Sequence, residues 1–387
     1  MKNKFVNFDK KINRHSTDCV KYDGLVEYFG TNEAKPLWVA DMDFATPKHV
    51  CSGMRNKLKQ QIFGYEIPSS ESFNAVISWQ KRHDLELQKE NILFCSGVVP
   101  SLKVAIEAFT EHGDEVIIFP PVYFPFFSVI KDNGRTVIES QLELQNGKYV
   151  MNLSDLESKI SLKTKLLLLC SPHNPIGRIW SKDELETLND LCVKHNILVI
   201  SDEIHSDLAF KNFVSFASIN ENCLILNAPS KTFNVAGLNT SYAFSKNNEI
   251  LTKFKIYAKR DHIVSLNSLS NVLIQSCYNN ESEIWLNQLL TYLEENINYT
   301  NAFFTKYLPK IKIIETNATY LLWLDFQETG LKHKEIKDKL LNEAKLALND
   351  GVTFGSNGKY FFRLNIALPK SELKKALANI QQAFSIK

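Results

Sequence analysis

No run of apolar residues in this chain approaches the roughly 20 that a membrane helix needs. The first 18 residues are polar and mixed in charge, and they lack the apolar core of a secretion signal. Charge of one sign is also missing. There are 45 basic and 43 acidic side chains, a formal net charge of +2, so there is no bulk attraction to nucleic acid or to an anionic membrane. No Cys-x-x-Cys pair occurs. The seven cysteines are odd in number and scattered, which argues against a zinc site or a disulfide framework and for inert thiols in a reducing cytoplasm. Repeats and low-complexity linkers are absent too. What remains is a 387-residue chain, 44% hydrophobic and 23% charged, with the profile of a soluble globular protein. At about 150 residues per domain it holds two or three domains.

The middle of the chain alternates strand-like and helix-like segments. Short runs such as NILFCSG, DEVIIFPP, TKLLLLCSP, ILVISDEI, CLILNAPSK and LNTSYAFSK are apolar on both alternating positions. That pattern predicts strands buried on both faces of a mostly parallel sheet, flanked by helices. Ser181 and Glu184 have capping-box spacing before one such helix. From about residue 280 the pattern changes. A long amphipathic helix, two strands over 311–326, a helix over 332–350, a strand around 359–368 and a last helix with Ser371 as N-cap predict a smaller α+β unit. The expected division is a large α/β domain over 51–285 and a small domain over 286–387, with segment 1–50 packing on the latter.

In parallel α/β sheets, ligands bind at the carboxyl ends of the strands, so the residues after each apolar run are the candidates. Gly97, at a strand-to-helix turn before Val98 and Val99, suits a phosphate or a plain tight turn. Asn174 sits in a loop fixed by two prolines and offers both a donor and an acceptor. Asp202 ends an apolar strand, where a carboxylate is costly unless paired. It suits either a helix cap or a partner for a protonated ring nitrogen. Lys231 follows another such strand among small and apolar neighbours; it suits either an ordinary exposed lysine or one whose basicity falls as Schiff-base chemistry requires. The intervals from Asn174 to Asp202 and from Asp202 to Lys231 are 28 and 29 residues, one strand–helix–strand step each. Arg363 is the one cation in the apolar strand YFFRLNIAL. It needs an anion there, either a ligand or a structural salt-bridge partner.

This constellation resembles the class I/II aminotransferase family of fold-type I pyridoxal 5'-phosphate (PLP) enzymes, over nearly the whole chain. Within it the chain is similar to the cystathionine β-lyase, MalY/PatB-type branch. The matching stretches include PLWVADMDF at 36–44, FGYEIP at 63–68, SPHNPIGRIWSKDEL at 171–185, SDEIHSDL at 201–208 and PSKTFNVAGLNTSY at 229–242. The resemblance implies a seven-stranded, mostly parallel sheet and a homodimer with shared sites. It also implies roles. Lys231 would hold PLP as a Schiff base and Asp202 would pair with the pyridinium. Asn174 would bond the phenolic oxygen and Tyr123 would stack on the ring. Gly97, Val98, Val99 and Ser230 would cradle the phosphate, with Tyr65 reaching it from the neighbouring subunit. Arg363 would clamp the substrate carboxylate, and Trp38, with Asn174, would contact the substrate. His205 stands where many aminotransferases have tyrosine, the habit of the lyase-like branch.

Two departures shift weight onto those phosphate groups. No arginine follows Lys231 closely, and Ala228 stands where a serine is common. The branch implies a carbon–sulfur β-lyase acting on L-cystathionine or another cysteine S-conjugate. The alternatives are an aminotransferase sharing every named residue, or a PLP-binding regulatory protein. No metal is expected.

Overall fold

The computed structural model describes residues 5–385. The six apolar runs and one further strand, β3, form one sheet: β1 (Ile92–Cys95), β2 (Glu115–Ile118), β3 (Thr136–Glu139), β4 (Thr164–Cys170), β5 (Leu198–Asp202), β6 (Cys223–Asn227) and β7 (Ser241–Phe244). Their order is β1-β7-β6-β5-β4-β2-β3. Only β7 runs antiparallel to its neighbours; the other pairings are parallel. The two-sided apolar pattern has a direct cause in β4. Leu167 and Leu169 enter the core on one face, while Leu166, Leu168 and Cys170 enter the core on the other.

Helices close both faces. α1 (Val98–Phe109) starts directly after β1 and buries Leu102, Ala105 and Ile106. α2 (Lys182–Lys194) links β4 to β5 and carries the expected capping box. Ser181 Oγ accepts from the Glu184 N–H at 3.3 Å, and Glu184 accepts from the Ser181 N–H at 2.8 Å. β4, β5 and β6 lie in register, with Cys170 beside Asp202 and Asp202 beside Leu226. The residues that follow these strands therefore emerge at one level of one sheet edge.

α3 (Asn280–Tyr307) runs 28 residues and buries Leu286, Leu289, Leu293, Ile297, Thr300 and Phe304 as a stripe. Beyond it a second sheet, all antiparallel, has the order β8-β9-β11-β10: β8 (Lys312–Ile313), β9 (Leu321–Asp325), β10 (Asn349–Asp350) and β11 (Phe361–Asn365). Residues 35 and 36 pair in parallel with 346 and 347, so the N-terminal segment is stitched to this part of the chain.

Two local expectations need correction. The helix over 332–350 is shorter: His333–Asp338 is α-helical, Lys339–Glu343 forms a π turn, and Asn349–Asp350 is a strand. Leu346–Ala347 pairs with Lys35–Pro36 and Asn349–Asp350 with the Arg363 strand, and this pairing overrides the local helical pattern. The last helix, α4 (Lys370–Phe384), begins after Pro369, so Ser371 lies inside the first turn and does not cap it. Residues 1–4 and 386–387, the outer ends of the flanking segments, lie outside the described residues.

Candidate active site

The common sheet edge opens into a cavity of about 340 Å³. Trp38, Val98, Val99, Tyr123, Asn174, Asp202, His205, Lys231 and Arg363 all line it, although they come from positions up to 325 residues apart. Gly97 and Ser230 flank it on the turns next to these wall residues. Tyr65 does not reach it. Its side chain is fully exposed (107%) and borders a separate surface groove.

Lys231 is held at the turn after β6. The next side chain, Thr232, donates to the buried Asp207 at 3.1 Å, and Asp207 also takes the Trp79 indole N–H at 3.0 Å. The Lys231 amine donates to the Ala40 carbonyl at 2.9 Å. Burial and the Arg363 charge lower its basicity, while Asp41 and Asp202 oppose them. Burial pushes the Asp202 carboxyl up to about 7, against the opposing Ile204 N–H and the Lys231 charge. The Ile204 N–H, at 3.2 Å, is the only hydrogen bond to that carboxylate among the described residues. The first helical turn after β5, a 3-10 turn over Ser206–Leu208, begins after His205, so Asp202 is not its cap.

Arg363 is 2% exposed. It donates to Asn174 Oδ1 at 3.0 Å, and to the Trp38 carbonyl and Asn349 Oδ1, both at 2.6 Å, while its Nε has no partner. Every acceptor is neutral. Among the described residues no carboxylate forms an ion pair with it, which excludes the structural salt bridge. Burial draws its pKa down to about 10. A buried guanidinium without a counter-ion is unfavourable unless a ligand supplies the anion. The Asn174 oxygen is taken by Arg363, which leaves its amide N–H groups for a ligand oxygen. His205 is neutral, its pKa drawn to about 3 by burial and by the Lys231 and Arg363 charges, and its Nδ1 is also without a partner. Burial pushes the Tyr123 hydroxyl up to about 12.

At the head of α1, Gly97 has φ 140°, a conformation that a side chain would strain. Its N–H donates to Ser241 Oγ at 2.9 Å. That bond sets the turn and leaves the first-turn N–H groups of Val98 and Val99 without intrahelical partners, a ready anion site.

The strap that roofs the cavity, residues 38–44, lies in the stretch 36–44 that carried the resemblance, but only Trp38 in it was given a role. Its carbonyls take Arg363, Lys231, Tyr320 (3.1 Å, also at Ala40), Asn365 and Asn234. Its acids Asp41 and Asp43 are locked by Arg14 and Lys21. These contacts are backbone acceptors met from distant segments, and only the polar pair Asp41 and Asp43 inside an apolar run hinted at them. Asn349 was likewise unmarked in the sequence.

Fold and site together define an α/β enzyme built around a buried lysine, with separate places for a ring nitrogen, a phosphate-sized anion and a carboxylate. The chain belongs to the class I and II aminotransferase family, whose signature matches residues 39–380. Its fold is that of fold-type I PLP enzymes. Cystathionine β-lyase PatB of Bacillus subtilis (strain 168) is 39% identical over 388 residues, covering 98% of this chain and 100% of that protein. A PLP-bound putative aminotransferase from Clostridium difficile 630 has a TM-score of 0.95 at 38% identity, with 98% and 100% of the two chains covered. A PLP-bound C-S lyase from Staphylococcus hominis has a TM-score of 0.92 at 30% identity, with 99% of each chain covered.

Proposed function

We propose that this chain is a PLP-dependent carbon–sulfur β-lyase that cleaves L-cystathionine or a related cysteine S-conjugate to a thiol, pyruvate and ammonia. The observation that carries the reading is the uncompensated Arg363 guanidinium in one cavity with the Lys231 amine and Asp202. An amino-acid carboxylate supplies the anion that Arg363 lacks.

The cavity fits PLP. Its lysine, its nearly unpartnered Asp202, the free amides of Asn174 and the open N–H groups of Val98 and Val99 match an aldehyde, a ring nitrogen, a phenolic oxygen and a phosphate. When bound, PLP supplies the carbonyl that captures the amino group and a ring that accepts electrons from Cα. Arg363 holds the substrate carboxylate and so fixes which Cα bond faces Lys231. The Lys231 amine, its basicity lowered by burial, takes the proton from Cα. Asp202 holds a proton at the ring nitrogen. Tyr123 would stack on the ring, Ser230 and Gly97 would complete the phosphate cradle, and neutral His205 would offer Nδ1 toward the cofactor. Trp38 borders the substrate. With a thioether sulfur on Cβ, the electron pair left by the Cα proton forms a Cα–Cβ double bond and expels the sulfur as a thiolate, and water then converts the released enamine to pyruvate and ammonia.

The aminotransferase reading uses the same residues and has less support, because PatB and the Staphylococcus protein, both matched over nearly their whole length, carry lyase names. Nothing in the chain favours a purely regulatory role. The same reading includes a homodimer in which Tyr65 reaches the partner's phosphate, a cytoplasmic location consistent with seven free cysteines, and the division into a large domain over 51–285 and a small one over 286–387 joined by segment 1–50. No described helix is long and apolar enough to cross a membrane.

The deciding experiment gives the PLP-loaded protein L-cystathionine without a keto acid. Pyruvate, ammonia and homocysteine accumulate together over many turnovers. Product formation only when a keto acid is added would make the protein an aminotransferase.

A further inference from the structure

A second cavity of about 440 Å³ adjoins the Lys231 cavity. Tyr28, Trp38, Phe124 and Asn349 line both. Asn349 accepts the Arg363 N–H at 2.6 Å, so the carboxylate anchor and the second cavity share a wall. With its carboxylate on Arg363 and its Cα at Lys231, a bound amino acid has the second cavity beside it, past Trp38 and Phe124.

The chemistry of that space is one-sided. Phe29, Leu340, Leu341, Leu348 and Phe362 supply apolar walls. Of the polar groups present, Asp350 and Thr353 are already engaged, while Lys337 is 56% exposed and only loosely paired. Asp350 meets the His333 ring at 3.1 Å, accepts the Val352 N–H at 3.2 Å and lies 3.6 Å from Lys337, while Thr353 donates to the Asp350 carbonyl at 2.7 Å. The π turn at Lys339–Glu343 presents Leu340 and Leu341 side by side. Tyr28 and Phe124, at 56% and 43% exposure, leave the entrance open to bulky groups.

We infer that this second cavity receives the S-substituent of the substrate and selects aryl or alkyl cysteine S-conjugates over zwitterionic L-cystathionine. The inference rests on the β-lyase reading and narrows its substrate class. The homocysteine half of cystathionine carries an ammonium and a carboxylate; the Asp350 carboxylate is already shared by His333, the Val352 N–H and Lys337, so both charges would be partly desolvated against a mostly apolar wall with only Lys337 and Asp350, themselves paired, to meet them. An apolar group gains by burial, and each added methylene in such a pocket is worth about 10–200-fold in specificity.

The test compares S-benzyl-L-cysteine, S-methyl-L-cysteine and L-cystathionine on the PLP-loaded protein, following pyruvate. The kcat/KM for the benzyl conjugate exceeds the other two by about tenfold or more. Leu341 is partly buried on the wall and touches no proposed cofactor group, so L341E lowers the benzyl value at least about tenfold and leaves the methyl value within about twofold. A binding measurement separates this pocket from the chemistry. L-homophenylalanine, which has a phenyl group at similar reach and no leaving group, binds wild-type protein at least about tenfold more tightly than L-alanine by tryptophan fluorescence, and L341A loses that advantage. A preference for cystathionine, or equal affinity for homophenylalanine and alanine, overturns the inference. If no conjugate yields pyruvate, the lyase reading fails, and the homophenylalanine ratio alone decides whether the pocket takes apolar side chains.

Discussion

Asp202 illustrates how a functional residue costs the fold stability. Its folded pKa is raised to about 7, against about 3.9 in an unfolded chain, because burial penalises the charge. The folded state therefore holds a proton that the unfolded state has released between those values. Stability from this group is present below the unfolded pKa and is lost as pH rises through 7. Asp202→Asn removes that penalty. Cofactor-free D202N should be more stable than wild type by about 2–4 kcal/mol at pH 8, with the gain shrinking toward pH 5, read by denaturant melts at both pH values. The same variant should lose at least about 100-fold in turnover, since no carboxylate then holds the ring proton. A D202N protein no more stable at pH 8 than at pH 5, relative to wild type, would refute the burial account. Arg363 follows the same logic. The sequence exposed it as a lone cation in an apolar strand, and the fold explains why no acid was placed beside it.

At the scale of elements, the site depends on strand ends being level, and α2 helps set that level. It connects β4, which delivers Asn174, to β5, which delivers Asp202. Ser181→Ala removes one half of its capping box and should cost about 0.5–2 kcal/mol in a denaturation midpoint, with kcat within about twofold of wild type, because no site residue lies on α2. A much larger loss of activity than of stability would mean that the helix start sets the loop carrying Asn174. This cap was legible because its signal lies within four consecutive residues. The sheet was legible for a related reason: buried parallel strands need apolar residues on both faces, and polar residues that interrupt them must have a use. Ser371 and the 332–350 segment misled because serine spacing and a helix-like apolar pattern are weak local signals, overruled by Pro369 and by strand pairing with Lys35–Pro36 and with the Arg363 strand. Beyond Trp38, the contacts of the strap over 38–44 were not legible, since they are largely backbone carbonyls met by Lys231 and Asn234, 190 or more positions away, and by Arg14 and Lys21 of the N-terminal segment.

For the whole molecule, the argument turns on Tyr65. A fully exposed tyrosine lies near exposed Ile62 (76%), Phe63 (59%) and Ile67 (83%), more apolar surface in one stretch than a monomer ordinarily leaves open. A twofold dimer that covers this stretch would carry Tyr65 to the partner's phosphate cradle, where the chain itself lacks an arginine after Lys231. Mixing tests this directly. K231A and Y65A chains should each form poorly active homodimers when alone. After unfolding and co-refolding in equal amounts, half of the dimers combine one chain of each kind. If Tyr65 acts across the interface, each such dimer has one site with both lesions and one with neither, so activity recovers to about a quarter of wild type. If Tyr65 serves its own chain, every site carries one lesion and nothing is recovered. Recovery would also explain why a residue so exposed in the single chain sits in a stretch that the family resemblance marks as functional: its site would exist only once two chains meet.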